Sequence, residues 1–145
     1  TSDRTPPARS VLGVQSVRDT NLDAIVLKLN YGQFDALFTS DISAKEESVI
    51  LPYLSAPSNS SNPFYLDVLK VAHHGSKYST STRFLEAIRP ALSVIEVGKN
   101  SYGHPTQETL DRLTQIGSKI LRTDQDGDVV ITINGDKWSY KTSKP

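Results

Sequence analysis

The chain has 145 residues, of which 37% are hydrophobic, and its sixteen lysines and arginines are balanced by sixteen aspartates and glutamates. This length builds one domain with a core, and the net charge of zero excludes an overall electrostatic attraction to nucleic acids or anionic membranes. The absence of cysteine excludes disulfides, thiolate metal ligands and a cysteine nucleophile.

The first ten residues, Thr1–Ser10, contain two prolines and no apolar periodicity, which predicts a flexible lead-in or the end of a connector. The chain begins with threonine and contains no methionine, so we expect it to be a piece of a longer protein. No apolar run approaches the roughly 20 residues of a membrane span, so we expect the piece to be soluble and to make no membrane contact of its own. One folded unit is expected over residues 11–142, followed by a short tail at 143–145.

Alternating apolar residues predict strands in the first third of the chain. Val11–Val17 is a short candidate, and Asp23–Asn30 alternates as a half-buried strand should. The residues Tyr31–Gln33 predict a turn, so the next strand, Phe34–Thr39, is expected to form a hairpin with the preceding one. This second strand brings Asp41 to its carboxyl end.

A short helix is predicted immediately after this aspartate. Ser43 and Glu46 have the Ser-x-x-Glu spacing of a capping box, which starts a helix, and Pro52 is expected to end that helix near Leu51. The polar segment Ser55–Pro63 predicts a loop that links the helix to the next strand.

Two buried strands and a helix are predicted in the middle of the chain. The apolar segment Tyr65–Ala72 predicts a strand that ends on His73 and His74. A Ser/Thr tract then precedes a helix at Arg83–Arg89, and Leu92–Gly98 predicts the next strand.

The last third of the chain combines a helix with further strands. A loop that carries His104 leads into a helix that ends at Gly117, with Pro105 in its first turn. The apolar stripe of this helix consists of Leu110, Leu113 and Ile116. Strands of an antiparallel meander follow over residues 119–124, 128–134 and 137–142. The whole pattern predicts an α/β fold, a mixed sheet with helices on one face.

Polar side chains follow several of these strands. Asp41, His73 with His74, and His104 each come after a predicted strand or its exit loop, and the carboxyl ends of neighbouring strands meet at one edge of such a sheet. Imidazole and carboxylate groups are the usual ligands of zinc and similar divalent ions. A catalytic zinc needs roughly three protein ligands, which no His-x-His pair supplies here. Spacing alone therefore leaves two roles open for the paired histidines, metal ligation and a structural cap on the strand.

Four stretches of the chain occur in the order found in a known family: LFTSD, DVLKVAHHGSKYSTS, VIEVGKNSYGHP and ILRTDQDGDVVITING. Together they resemble the C-terminal half of the metallo-β-lactamase-like domain of ComEC-type competence proteins, from about Asn21 to Asp136. The resemblance implies a partial metallo-β-lactamase αββα sandwich. It also implies a soluble, extracytoplasmic domain attached to a plasma-membrane protein of bacterial DNA uptake.

The same resemblance implies roles for individual residues. Asp41 matches an aspartate that bridges two metal ions in a Thr-Gly-Asp motif, although Ser40 replaces the glycine and is expected to aim the carboxylate slightly differently. His74 matches a metal ligand, and His73 is expected to orient a ligand or to contact substrate as part of the catalytic machinery. His104, at a helix N-terminus, is expected to bind an anion or to donate a proton to a phosphate.

Three residues after the paired histidines, Ser76, Lys77 and Ser79, are expected to contact the phosphate of a phosphodiester. The alternative for Ser79 is that its hydroxyl caps the following helix. No Gly-x-Ser-x-Gly elbow surrounds these serines, so a serine nucleophile is not predicted.

The family's His-x-His-x-Asp-His motif, which with a further histidine supplies most ligands of both ions, is absent from this sequence. We therefore expect the chain alone to bind metal weakly and to catalyse little, with the missing N-terminal half of the domain as its partner. In the complete domain the implied chemistry is phosphodiester hydrolysis by two Zn or Mn ions, with DNA as substrate. The alternative is a non-catalytic module whose degenerate metal site only binds DNA or a partner chain.

Two other patterns favour structural roles. The segment Asp124–Asp128 is similar to a calcium loop, but its glycine stands at the fourth place and not the sixth, so a hairpin turn is the better prediction. A basic and aromatic set near the end of the chain consists of Lys137, Trp138, Tyr140, Lys141 and Lys144. This set would suit single-stranded DNA, although a solvated strand face is the more common explanation.

Overall fold

A computed structural model describes residues 24–54 and 65–144 of the chain. The predicted lead-in, the predicted strand at Val11–Val17 and the predicted linker at Ser55–Pro63 lie outside these residues. The described strands are β1 (Leu27–Tyr31), β2 (Phe34–Phe38), β3 (Val68–Lys70), β4 (Leu92–Ile95), β5 (Lys119–Arg122), β6 (Val129–Asn134) and β7 (Lys137–Thr142). The described helices are α1 (Ala44–Leu54), α2 (Thr82–Ile88), α3 (Gln107–Gln115) and the single turn α4 (Thr123–Asp126).

Within the described ranges, β1 to β5 form one mixed sheet in the order β1-β2-β3-β4-β5. β1 and β2 are an antiparallel hairpin that pairs Tyr31 with Phe34. The pairs β2–β3, β3–β4 and β4–β5 are parallel. The predicted α/β fold, its mixed sheet and its first hairpin are therefore confirmed. Because β2, β3 and β4 run in the same direction, their carboxyl ends meet at one edge, which we call the rim.

The two faces of this sheet contact different layers, because successive side chains of a strand point to opposite sides. One face presents the buried side chains of Leu37, Leu69 and Ile95. The helices α1, α2 and α3 cover this face with Ile50, Leu54, Phe84, Leu85, Ile88 and Leu113. The apolar stripe predicted for α3 packs into this layer, as expected.

The opposite face is covered by the hairpin of β6 and β7. Ala36, Val68, Val94 and Leu121 of the sheet pack with Val129, Ile131, Ile133 and Trp138 of the hairpin. The indole of Trp138 meets the ring of Phe34 edge-on at 5.9 Å between centroids, and its Nε1 donates to Oδ1 of Asp67 at 2.8 Å. The hairpin is therefore fixed to the sheet by both packing and a hydrogen bond.

The predicted antiparallel meander is wrong for its first strand, β5. β5 pairs in parallel with β4, whereas β6 and β7 form a separate two-stranded sheet. On β5, Ile120 packs towards the helices and Leu121 towards the hairpin. A strand that is apolar on both sides is stabilised inside a layered sheet, and not as one arm of a half-exposed hairpin. The helical turn α4 replaces the hairpin turn predicted at Asp124–Asp128 and leads the chain to the other face.

Several element boundaries also differ from the prediction, among them the start of β1 at Leu27 and the end of β4 at Ile95. α1 continues past Pro52 to Leu54, because a proline in the last turn removes only one hydrogen bond near the helix end. β3 is shorter than predicted, since the chain leaves the sheet for a tight turn at Ala72–Gly75. Pro105 lies before α3 and not in its first turn, because the N-cap, Thr106, still has an extended backbone.

The helix caps follow the predicted chemistry with one change. The N–H of Ser43 donates to Oε2 of Glu46 at 2.9 Å, which confirms the reciprocal arm of the capping box at the start of α1. Ser81 is the N-cap of α2, and its Oγ accepts from the N–H of Phe84 at 3.3 Å. The Ser/Thr tract thus supplies the cap through Ser81 and not through Ser79.

A buried carboxylate joins α1 to the start of α2. Glu47 is fully buried, and its carboxylate accepts hydrogen bonds from the N–H of Thr80 and, at 2.9 Å, from the N–H of Ser81. These two N–H groups belong to Thr80 and to the N-cap Ser81, where no carbonyl of the helix accepts from them, so the carboxylate supplies the acceptor. This contact holds the loop that follows the paired histidines against α1.

Replacing Glu47 with alanine is expected to lower the free energy of unfolding by about 2–4 kcal/mol, because two buried N–H groups lose a charged acceptor. Glu47→Gln keeps one acceptor oxygen and is expected to lose less. Urea unfolding followed by circular dichroism measures both changes. Glu86→Ala, at an exposed position of α2, is the control and is expected to stay within about 0.5 kcal/mol of the wild type. Equal stability of Glu47→Ala and the wild type would contradict the role given to this carboxylate.

Candidate metal centre

Hydrogen bonds between the segments that leave β2 and β3 hold the rim together. Thr39 is fully buried, and its hydroxyl donates to the carbonyl oxygen of Lys70 at 2.7 Å. The N–H of His73 donates to the carbonyl oxygen of Ser40 at 2.9 Å. The segment that carries the predicted aspartate and the segment that carries the paired histidines are therefore neighbours.

Asp41 and His74 face each other across the rim. Oδ1 of Asp41 lies 3.9 Å from Nε2 of His74, and both side chains are 48% exposed. On the other side of the imidazole, Nδ1 lies 2.7 Å from the carbonyl oxygen of Glu96. A carbonyl oxygen only accepts, so Nδ1 carries a hydrogen, and Nε2 is the ring nitrogen directed towards Asp41.

Asp41 and His74 would have to move slightly closer to share one divalent cation. The separation of 3.9 Å is too long for a direct hydrogen bond. Bonds from zinc to carboxylate oxygen and to imidazole nitrogen are about 2.0–2.2 Å, so two ligand atoms of a tetrahedral ion lie about 3.4 Å apart. Ligating histidines usually donate their second ring nitrogen to a carbonyl or carboxylate, which is the contact that Glu96 provides.

Two donors do not complete a metal centre. In the part of the chain that the structure describes, no group of three or more His, Asp or Glu side chains is placed to hold an ion. A catalytic zinc takes about three protein ligands and keeps one open position. Asp41 and His74 would therefore supply only one side of a coordination shell, and both their ligation and the two ions stay predictions.

Left-handed backbone conformations shape the rim. Ser40 has a φ of 47°, and the consecutive residues His73, His74 and Gly75 have φ values of 48°, 54° and 82°. Each residue other than glycine in this region costs roughly 1–2 kcal/mol. Ser40 thus adopts a conformation that favours glycine, and the adjacent Asp41 still faces His74.

Gly75 is required where the loop of His104 crosses the turn of the paired histidines. A Cβ atom on Gly75 would lie 2.5 Å from Cβ of Pro105. The N–H and the hydroxyl of Thr106 both donate to the carbonyl oxygen of Gly75, at 3.0 and 3.3 Å. This close approach places the ring of His104 5.6 Å from the ring of His73, between centroids.

His73 is a neighbour of both other imidazoles, since its ring centroid is also 6.5 Å from that of His74. Partial burial lowers the pKa of His104 below its ordinary value of 6.5, and repulsion from His73 and His74 lowers it further. His104 is therefore neutral at pH 7. A neutral imidazole suits proton exchange with a ligand, and an approaching phosphate would raise its pKa again.

Asn100, which sequence reasoning missed, organises the loop before His104. Its Nδ2 donates to the carbonyl oxygens of Gly98 and His104, at 2.9 and 2.8 Å. Its Oδ1 accepts from the N–H groups of Tyr102 and His104, at 3.1 and 3.0 Å. The tendency of asparagine to hydrogen-bond the backbone two residues on is the signal that would have identified it.

The three residues predicted to contact phosphate differ in exposure. Ser76 and Ser79 are buried, whereas Lys77 is exposed and its Nζ lies 5.1 Å from the ring centroid of Tyr78. The carbonyl oxygens of Lys77 and Ser79 accept from Nη2 of Arg112 on α3, at 3.2 and 3.0 Å. Sequence reasoning missed Arg112, because a single cation on a polar helix face gives no signal. Of the three, Lys77 is the residue that a ligand from solvent would meet, and all three contacts stay predictions.

The basic and aromatic residues of β7 do not form one surface. Trp138 packs inward on the sheet, whereas Lys137 and Lys141 are exposed at positions of the opposite strand face. Nζ of Lys144 donates to the carbonyl oxygen of Asp124 at 3.4 Å. The solvated strand face is therefore the arrangement observed, and no strip for single-stranded DNA is built there.

The chain is similar to segments of longer bacterial proteins. It is 34% identical over 113 residues to ComE operon protein 3 of Bacillus subtilis, 37% over 111 residues to competence protein ComA of Neisseria gonorrhoeae, and 31% over 128 residues to recombination protein 2 of Haemophilus influenzae. These matches cover 75%, 75% and 88% of the chain, but it spans only 13%, 15% and 15% of the relatives. No protein-family model matches the chain.

Gly75→Ala is expected to lower the free energy of unfolding by about 2 kcal/mol or more, because alanine is strained at a φ of 82° and its Cβ would overlap Pro105. Gly98→Ala is the matched control, since a Cβ there meets nothing within 4 Å. Urea unfolding measures stability, and the NMR signals of the His104 ring report its displacement. If both variants are as stable as the wild type, the close approach at Gly75 is not a constraint.

The imidazole of His104 is expected to titrate below its ordinary pKa of 6.5. The unfolded chain takes up this proton near 6.5 and the folded chain only at lower pH, so stability is lost as the pH falls from 6.5 through the folded pKa. His73→Gln is expected to raise the pKa of His104, because it removes a repulsive neighbour. NMR titration of the ring carbons in metal-free protein measures both values. A pKa of His104 at or above 6.5 would contradict this account.

Proposed function

We propose that this chain, which is homologous to a segment of the ComEC-type competence proteins, contributes one side of a metal-dependent phosphodiesterase site that acts on DNA during uptake. The names of its relatives concern competence and recombination, and the proposed reaction goes beyond what these names state. The chain spans about one seventh of these relatives, so the proposal concerns the full protein that carries it.

The proposed architecture is the C-terminal half of a metallo-β-lactamase sandwich. The mixed sheet with helices on one face supports it. Beside the β6–β7 hairpin, the other face leaves an apolar groove of about 240 Å³ and exposes large side chains, with Leu29 at 40% and Phe38 at 43%. Exposed apolar surface of this kind is stabilised by a further layer, and the N-terminal half of the domain is the layer proposed here.

The observation that carries the proposal is the contact of His74 with Glu96, which aims Nε2 at the carboxylate of Asp41. Asp41 and His74 would hold a divalent cation, either Zn²⁺ or Mn²⁺, with the remaining ligands supplied from the N-terminal half. When bound, two such ions stabilise the charge on a phosphate undergoing in-line displacement and activate a water molecule as nucleophile.

The other histidines act on protons and orientation in this proposal. His104, neutral at pH 7, hydrogen-bonds a phosphate oxygen and takes up or donates a proton as its pKa rises beside the anion. His73, whose ring is close to those of both His74 and His104, orients these imidazoles or contacts substrate. Lys77 supplies an exposed positive charge near the turn of the paired histidines.

A non-catalytic role is the second candidate. It is favoured by the small number of donors, since no third metal-ligating group joins Asp41 and His74 among the described residues. In that case the rim would bind DNA or a partner chain without cleaving it. The two candidates differ in whether the full protein hydrolyses DNA when metal is supplied.

The proposed location is outside the plasma membrane, on a domain attached to a membrane-embedded parent. In residues 24–54 and 65–144, no helix has the length and apolar composition needed to cross a membrane. The names of the relatives support a role in competence, and the location itself follows from the resemblance.

In the full protein, Asp41→Ala and His74→Ala are each expected to reduce Mn²⁺- or Zn²⁺-dependent hydrolysis of DNA by about 100-fold or more. This magnitude follows because even the indirect partners of metal ligands are worth about 10–100-fold. Asp111→Ala, which removes an exposed carboxylate on α3, is the matched control and should keep wild-type activity. Calorimetric metal affinity should fall in the two rim variants and stay unchanged in the control.

Wild-type hydrolysis in both rim variants would overturn the assignment of Asp41 and His74. A wild-type protein that binds DNA but cleaves none with either metal would instead favour the non-catalytic module. Circular dichroism shows whether each variant is still folded. A folded variant that has lost metal affinity has lost a ligand, and the loss is not caused by unfolding.

A further inference from the structure

We propose that a cavity beside the Asp41–His74 pair binds one unpaired nucleobase of single-stranded DNA, and that this base stacks on Tyr102. The inference rests on the proposed function, because it assigns the form of DNA and a further contact to the same rim. Three features support it: a cavity of limited size, an exposed aromatic ring and a rigid loop.

The cavity has a volume of about 240 Å³ and is lined by the loop that joins β4 to α3 and by His74. Its lining includes His74, Val97 and His104, so it adjoins the metal centre and combines apolar with imidazole surface. For comparison, a water molecule takes about 30 Å³, and pockets for drug-sized ligands measure about 300–1,000 Å³. The cavity therefore has room for a single ring system and not for a double helix.

Tyr102 presents an aromatic surface at this cavity. The residue is 81% exposed, although a large aromatic side chain is usually stabilised by burial. Its ring stacks on that of His104, with 6.0 Å between centroids and 28° between planes. One face is thus supported by an imidazole, and the high exposure leaves the other face open. Nucleobases of any sequence stack on such a face.

The loop that carries Tyr102 is ordered before any ligand arrives. Asn100 bridges the backbone of Gly98, Tyr102 and His104 through both atoms of its side-chain amide. A binding surface that is already fixed loses little conformational entropy when a ligand binds. Less of the stacking energy is therefore lost in ordering the loop.

Lys99 adds a charge that suits the backbone of the same nucleotide. It lines the cavity and is exposed, and none of the ion pairs among the described residues involves it. A DNA strand carries one negative charge per nucleotide, so a base held in the cavity brings a phosphate within reach of this ammonium group. The adjoining phosphate then reaches the Asp41–His74 pair.

Single-stranded DNA is the form that these features favour. In a duplex, both faces of a base are covered by its neighbours and its edge is paired, so it reaches Tyr102 only after it leaves the stack. A single strand presents its bases without that energetic cost. The cavity therefore selects for unpaired nucleotides without reading their sequence.

The test compares two labelled oligonucleotides of equal length and charge, one with bases and one made of abasic nucleotides, in the full protein. Tyr102→Ala is expected to weaken binding of the base-bearing strand about 5- to 150-fold, measured by fluorescence anisotropy, and to leave the abasic strand unchanged. Tyr102→Phe should keep wild-type affinity. Tyr53→Ala is the matched control, because Tyr53 is 64% exposed but lies about 13 Å along α1 from its rim end.

Lys99→Gln gives an independent readout, since it is expected to reduce the slope of log affinity against log salt by about 0.7 for a single strand. A fully paired duplex is expected to bind more weakly than the single strand, and the Tyr102→Ala variant should reduce that difference.

Each outcome separates this inference from the proposed function. If the wild type cleaves DNA but Tyr102→Ala changes neither strand, or changes both equally, the base-binding cavity is overturned and the phosphodiesterase stands. If the wild type binds the base-bearing strand through Tyr102 but cleaves nothing, the phosphodiesterase is overturned and the cavity stands. Equal affinity of wild type for single strand and duplex would overturn the choice of single-stranded DNA.

Discussion

The candidate site depends on one hydrogen bond, from Nδ1 of His74 to the carbonyl oxygen of Glu96. Glu96 directly follows β4, so the bond connects the turn after β3 to the end of the neighbouring strand. It sets the tautomer of the imidazole and the direction of Nε2 in a single contact. The parallel register, in which Lys70 pairs with Val94, brings both strand ends level and makes the bond possible. The topology of the sheet thus determines which nitrogen of His74 faces Asp41.

The turn that carries the histidines is locally unfavourable, so the surrounding structure must determine it. Its consecutive left-handed residues cost energy that short-range contacts alone do not recover. The N–H of His73 donates to the carbonyl oxygen of Ser40. The carbonyl oxygen of Gly75 accepts from both the N–H and the hydroxyl of Thr106. Glu47 then fixes the following loop against α1. Strain of this kind at the end of a strand is typical of residues placed for binding or catalysis and not for packing.

Sequence alone predicted the residues of the rim better than the contacts that support them. Apolar alternation located the first hairpin and the strand ends, and these positions bring Asp41 and His74 together. β5 was misassigned because four residues are too few to reveal that both of its faces are buried. The bridges made by Glu47 and Arg112 span about 33 residues of sequence, and no local pattern encodes a partner at that distance. Apolar periodicity therefore does not predict which distant segments of the chain contact each other.

The cavity beside Tyr102 and the Asp41–His74 pair have one residue in common, His74. This residue lines the cavity beside Tyr102 and also faces Asp41, so both surfaces include the same imidazole. Since Nδ1 is bound to Glu96, the ring does not turn to accommodate a ligand without losing that bond. The orientation of this imidazole is therefore set by the protein and not by the ligand. If a nucleobase fills the cavity as proposed, its phosphate would meet an imidazole that is already oriented, and contacts of that kind would contribute to orientation at a reacting group.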